Sequence, residues 1–98
     1  MFNSGKRYIT DKIQKSIDTS LQIIIWNIID EANIKENLNG TQIFSLSPTS
    51  DGRQMLTHFS QNPNICQMFT FLMSKPIYSK IYVVDNGNYE LMMLDTEY

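Results

Sequence analysis

The sequence predicts an α+β fold: one main helix packed on an antiparallel sheet of about five strands built from hairpins. Two observations carry this. A single long stretch, residues 18–35, repeats its apolar residues at a helical period. The rest is mostly alternating runs joined by turn pairs, "SDG" at 50–52 and "DNG" at 85–87. At 98 residues the chain is the length of one small domain spanning residues 1–98, and 42% hydrophobic residues suffice for its core.

Taken in order, "KRYIT" (Lys6–Thr10) reads as a short first strand. "DKIQKSI" (Asp11–Ile17) reads as a polar connection with two apolar anchors, Ile13 and Ile17. The helix begins near Asp18 or Thr19, where Thr19-x-x-Gln22 matches a capping box, and runs to about 33–37. Leu21, Ile25, Ile28, Ile29 and Ala32 fall on one face of a 3.6-residue period, broadened by Ile24 and Trp26. Ile25 and Trp26 are expected to be buried against the sheet. β-Branched residues lower the helix propensity here, but a strand of this length would be atypical. Asn39-Gly40 stops the helix with positive φ.

"TQIFSLSP" and "RQMLTHFS" form a hairpin with Asp51-Gly52 in its turn. Phe44 and Leu46 share one face, and Met55, Thr57 and Phe59 share another. "QNPN" is a loop, and "CQMFTFLMS" (Cys66–Ser74) is an extended segment that Pro76 terminates. The last hairpin, "KIYVVDNGNYELMML", has Asn86-Gly87 as a type I′ turn. Both of its faces carry apolar residues, unlike a strand with one wet face. Either it is a central hairpin with the helix on one face and partial cover on the other, or one face, with Tyr82, Tyr89 and Met92, meets a partner.

Composition narrows the function. A net charge of −2 and a pI near 5.1 give no global field for nucleic acid or an anionic membrane. The residues "MFNSGKRYIT" lack the apolar run of a signal peptide, and "IIIWNII" is too short and polar to span a bilayer. One cysteine, Cys66, forms no internal disulfide, so a soluble, cytoplasmic protein is expected.

One histidine and one cysteine cannot supply a metal site, and no metal or cofactor is expected. His58 is the one imidazole available as a base. It lies on an expected strand, where a sheet-face role is the ordinary one. No glycine-rich loop precedes a helix, and the acids Asp30–Glu31 and Asp95–Glu97 look solvated. The chain therefore reads as non-enzymatic.

Charge is distributed unevenly. Lys6, Arg7, Lys12 and Lys15 cluster early, while Asp85, Glu90, Asp95 and Glu97 lie late. Either the two ends lie together and pair weakly, or Lys6, Arg7, Tyr8, Lys12 and Lys15 form a weak, salt-sensitive nucleic-acid contact.

The pieces "GKRYIT", "LQIIIWNIIDE", "QIFSLS" and "KIYVVDNGNYELMMLDTEY", in this order over nearly the whole chain, resemble an uncharacterised bacterial family, "domain of unknown function 960". "NPNICQMFTFLM" fits its pattern least. The resemblance implies a Gram-positive source, with phages and mobile chromosome cassettes among the carriers. It also implies a small α+β domain with no assigned activity. The reading from sequence is a protein-interaction or accessory module that binds a host protein or a second copy of itself. The alternative is a weak nucleic-acid binder.

Overall fold

The structure is a computed structural model that describes Phe2 and residues 5–98. Met1, Asn3 and Ser4, part of the N-terminal stretch read above, lie outside the described residues. The elements are β1 (Arg7–Ile9), α1 (Asp11–Ser16), α2 (Thr19–Lys35), β2 (Gln42–Pro48), β3 (Gln54–Gln61), β4 (Asn64–Phe71), β5 (Ser79–Asp85) and β6 (Glu90–Leu94). A 3₁₀ turn at Asp95–Glu97 follows β6. The fold is α+β, with a sheet of six strands rather than about five, in the order β1-β6-β5-β2-β3-β4. All neighbours are antiparallel except β1, which runs parallel to β6. A parallel neighbour requires a long crossover, and everything from α1 to β5 supplies it.

The connection expected at Asp11–Ile17 is mostly helix. Thr10 caps α1: its hydroxyl accepts from the Ile13 N–H at 3.2 Å, with Asp11 in the first turn and Lys15 in the last. Ile13 and Ile17, four residues apart, are both buried, as expected of anchors. Six residues are too few for a periodic pattern to show, which hid this helix.

α2 occupies the expected span, but the Thr19–Gln22 capping box does not form. Asp18 is the cap, and the Gln22 side chain instead donates to the Ile17 carbonyl at 2.8 Å. Leu21, Ile25, Ile28 and Ile29 face the sheet and are buried. Trp26 lies at the edge of that face, half-buried beneath the Arg7 guanidinium, 4.7 Å from its ring centre. At the helix exit, Gly40 takes φ +73° while Asn39 stays at negative φ.

The β2–β3 hairpin forms as expected, with Gly52 at φ +84°. In the last hairpin the type I′ turn does not form, because Asn86 does not reach positive φ. The loop is four residues long, closing on the Asp85–Glu90 pair. Asn86 Oδ1 accepts from the N–H groups of Asn88 and Tyr89, each at 2.9 Å, and Asp85 Oδ1 accepts from Gly87 at 2.9 Å. Side-chain acceptors thus do what two left-handed residues would have done.

Strand alternation then assigns the faces. The face toward the helices holds Phe44, Leu46, Leu56, Ile81, Val83 and Met92, all in the core with Ile13, Leu21, Ile25 and Ile29. It also buries a polar group. His58 stacks on Phe44 with ring centres 4.7 Å apart, and its Nε2 bonds Gln42 Oε1 at 2.7 Å. The Gln42 amide nitrogen donates to the Asn39 carbonyl and to Ser60 Oγ, both at 3.1 Å. Buried Gln54 ties the β4–β5 connection to the sheet through the N–H and carbonyl of Ile77.

Candidate functional site

The other face of the sheet is the candidate site. Tyr8, Ile43, Met55, Thr57, Phe59, Cys66, Met68, Lys80, Tyr82, Val84, Leu91 and Met93 project from it, and all but Met93 are half-buried or exposed. Two aromatic contacts brace one end. Tyr82 packs on Tyr98, with centroids 4.6 Å apart, and Tyr8 meets Tyr89 edge-on at 5.4 Å. The 3₁₀ turn that carries Tyr98 is held by Glu97, whose Oε1 accepts from Leu94 N–H at 3.0 Å and from the Thr10 hydroxyl at 2.8 Å. Those two bonds, aided by nearby Lys12, hold the Glu97 carboxyl below the usual range.

Beside Tyr82 and Tyr98 the face is hollowed into an open concavity of about 1010 Å³. Ile43, Ser45, Phe59 and Tyr82 line it from the strands, Tyr98 and Thr41 close one side, and Asn39, Gln61, Asn62 and Asn64 bring amide groups to its margin. Among the described residues Lys80 is the one lining residue with a charged side chain, and no Asp, Glu or His lines it. The chemistry on offer is aromatic stacking and amide hydrogen bonding.

The residues singled out from sequence separate. Tyr82 and Tyr89 lie on this face, Tyr89 being 37% exposed. Met92 does not belong with them. It pairs with Val83, points toward the helices and is completely buried. Residues opposite each other across two strands share a face. Since Tyr82 pairs with Met93, Met92 falls on the Val83 side.

The basic segment is also divided. Arg7 turns to the helix side, bonding buried Glu90 at 2.9 Å and pairing with Asp30. Although burial opposes its charge, these two carboxylates hold the guanidinium above the ordinary arginine range. Tyr8 leaves β1 on the opposite face and is 54% exposed. Lys12 and Lys15 lie exposed on α1, and Lys6 is exposed before β1. No single surface gathers all five.

His58 and Cys66 lie on opposite faces of the sheet, so they cannot act as base and nucleophile together. Among the described residues no group of three His, Cys, Asp or Glu could hold a metal ion. Nor is any helix among them long and apolar enough to cross a membrane.

Sequence reasoning missed the contributions of Tyr98, Ile43 and the amide margin. Ile43 was legible, because it alternates with Phe44. Tyr98 was not, because its position depends on the bonds made by Glu97.

Comparison with known proteins agrees with this fold. A crystal structure of a protein of unknown function from Enterococcus faecalis is similar, with a TM-score of 0.80 and 26% identity over 95% of this chain and 90% of that one. No curated protein matches. The model of the Staphylococcal protein of unknown function family (DUF960) matches residues 6–97. Neither match names an activity. The chain belongs to that family.

Proposed function

We propose that this chain is a cytoplasmic, non-enzymatic interaction module that binds a protein partner on the uncovered face of its sheet. The observation that supports the reading most is the concavity itself: aromatic and aliphatic side chains within an amide-bearing margin, with Lys80 the one charged side chain among the described lining residues. Interfaces are enriched in tyrosine and depleted of charge at their centres, and this surface has that character. A phage or mobile element as the carrier is part of this proposal, and a host protein is then the partner. A nucleic-acid role is the weaker reading, because Arg7 is engaged in ion pairs and Tyr8 points to the opposite face from it.

The test is to cross-link the chain in its host, identify the partner, purify it and measure the affinity of the two proteins. Replacing Tyr82 and Tyr98 with Ser is expected to weaken binding at least about tenfold, as for interface anchors, with the fold retained. Unchanged affinity for the purified partner contradicts the proposal. So does tight, salt-sensitive binding of DNA or RNA that is lost when Lys12 and Lys15 become Glu.

A further inference from the structure

The two edges of the sheet differ. β1, at one edge, is three residues long and is flanked and occupied by Lys6 and Arg7. Short strands and cationic side chains are the usual protection of an edge against pairing with another chain. β4, at the other edge, has none of it. Its eight residues, "NICQMFTF", contain no charge, proline or glycine, and they pair with β3 in unbroken register without a bulge.

The hairpin geometry fixes which groups are free. Gln61 and Asn64 flank a two-residue turn, so they form a hydrogen-bonded pair. Alternation then directs the N–H and C=O groups of Asn64, Cys66, Met68 and Thr70 to β3. Those of Ile65, Gln67, Phe69 and Phe71 point to the open edge. Along the same strand α2 stops short of full cover. A groove of about 160 Å³ lies between Ile28 and Ala32 of the helix and Ile65 and Phe69 of β4, with Lys35, Glu31 and Glu36 at its margin. On the outer face Met68 is 64% exposed.

We propose that β4 pairs antiparallel with β4 of a second copy of this chain about a two-fold axis at Met68, joining the two six-stranded sheets edge to edge. This register engages all four free residues of each strand, for about eight main-chain hydrogen bonds. It sets Ile65 opposite Phe71 and Gln67 opposite Phe69 on the helix side, and Cys66 opposite Thr70 and Met68 opposite Met68 on the outer side. No like charges meet, which is what an uncharged strand permits and a charged one would not. The groove margins that abut carry both signs of charge. A second copy is favoured over an unrelated peptide because the edge is self-complementary along its whole length. The proposal is independent of the outer-face reading.

Cysteine placement tests it. Directly opposed residues of a non-hydrogen-bonded pair stand about 4.5 Å apart at Cα, within disulfide range. Residues displaced by four positions stand about 13 Å apart, outside it. With Cys66→Ser in place, Met68→Cys is expected to give a disulfide-linked dimer under a glutathione redox buffer. Thr70→Cys is expected to do so when Cys66 is present and not when it is Ser. Sedimentation equilibrium is expected to give twice the 11.4 kDa chain mass. Gln67→Pro, which removes one outward N–H and none used by β3, is expected to return the monomer. So is Met68→Lys, which sets two cations opposite each other. A wild-type chain that stays monomeric overturns the proposal. A dimer that cross-links through Thr70→Cys in the Cys66→Ser background but not through Met68→Cys also overturns it, as does a dimer that persists in folded Met68→Lys.

Discussion

His58 shows how much one buried side chain decides. It is fully enclosed, its Nε2 is bonded to Gln42, and its Nδ1 has no hydrogen-bond partner. Burial makes charging it costly and lowers its pKa from the ordinary 6.5 to about 4. Between those two values the unfolded chain binds a proton that the folded chain refuses. The contribution of His58 to stability is therefore full above about pH 6.5 and is lost as pH falls toward 4, amounting to about 3 kcal/mol. Urea unfolding from pH 7 to 4 is expected to show that loss. His58→Leu, though less stable at pH 7, is expected to show a profile flatter by that amount. Parallel profiles for the two proteins would contradict a neutral buried imidazole.

At the scale of elements, α2 is the element most legible in the sequence. Its apolar stripe was legible because the sheet-facing residues recur over seventeen positions. Ile25 is fully buried against the sheet, so Ile25→Ala is expected to cost about 2–5 kcal/mol and to lower Tm by about 10 °C or more. An unchanged Tm, read by circular dichroism, would contradict helix-on-sheet packing.

Short-range side-chain bonds shaped two features that escaped the sequence. Thr10 capped a helix too short to show a period. Asn86 and Asp85 closed a four-residue loop where Asn86-Gly87 suggested two. The first strand was expected, but its parallel pairing with β6 was not, because a crossover of some eighty residues leaves no local pattern. Gln42, Gln54 and Ser60 sit at core-facing positions where an apolar residue is the rule. The Gln42 bonds to Ser60, His58 and the main chain, and the Gln54 bonds to main-chain groups, make that burial stable.

For the molecule as a whole, the arrangement follows from helices gathered on one face of the sheet. A helix is about 10 Å across and strands repeat about every 4.8 Å, so one helix covers about two strands and cannot wrap a six-stranded sheet. The opposite face is left to its own tyrosines, and β4 forms an edge of the sheet. The apolar character of the last hairpin on both faces, visible in the sequence, thus has two explanations at once. Ile81, Val83 and Met92 are core, while Tyr82 and Tyr89 belong to the open face. The division of the basic segment between two faces was not legible, since it depends on Arg7 finding Glu90 and Asp30.

The claim that the open sheet face is the binding surface is tested most directly by hydroxyl-radical footprinting of the chain, alone and with its purified partner. Tyr82, Tyr98 and Phe59 are expected to react in the free protein and to be protected in the complex. Ile23 and Ile34, exposed on α2, are expected to react equally in both. Protection of Ile23 and Ile34 with none at the three aromatic residues would place the partner on the helical side and contradict the account.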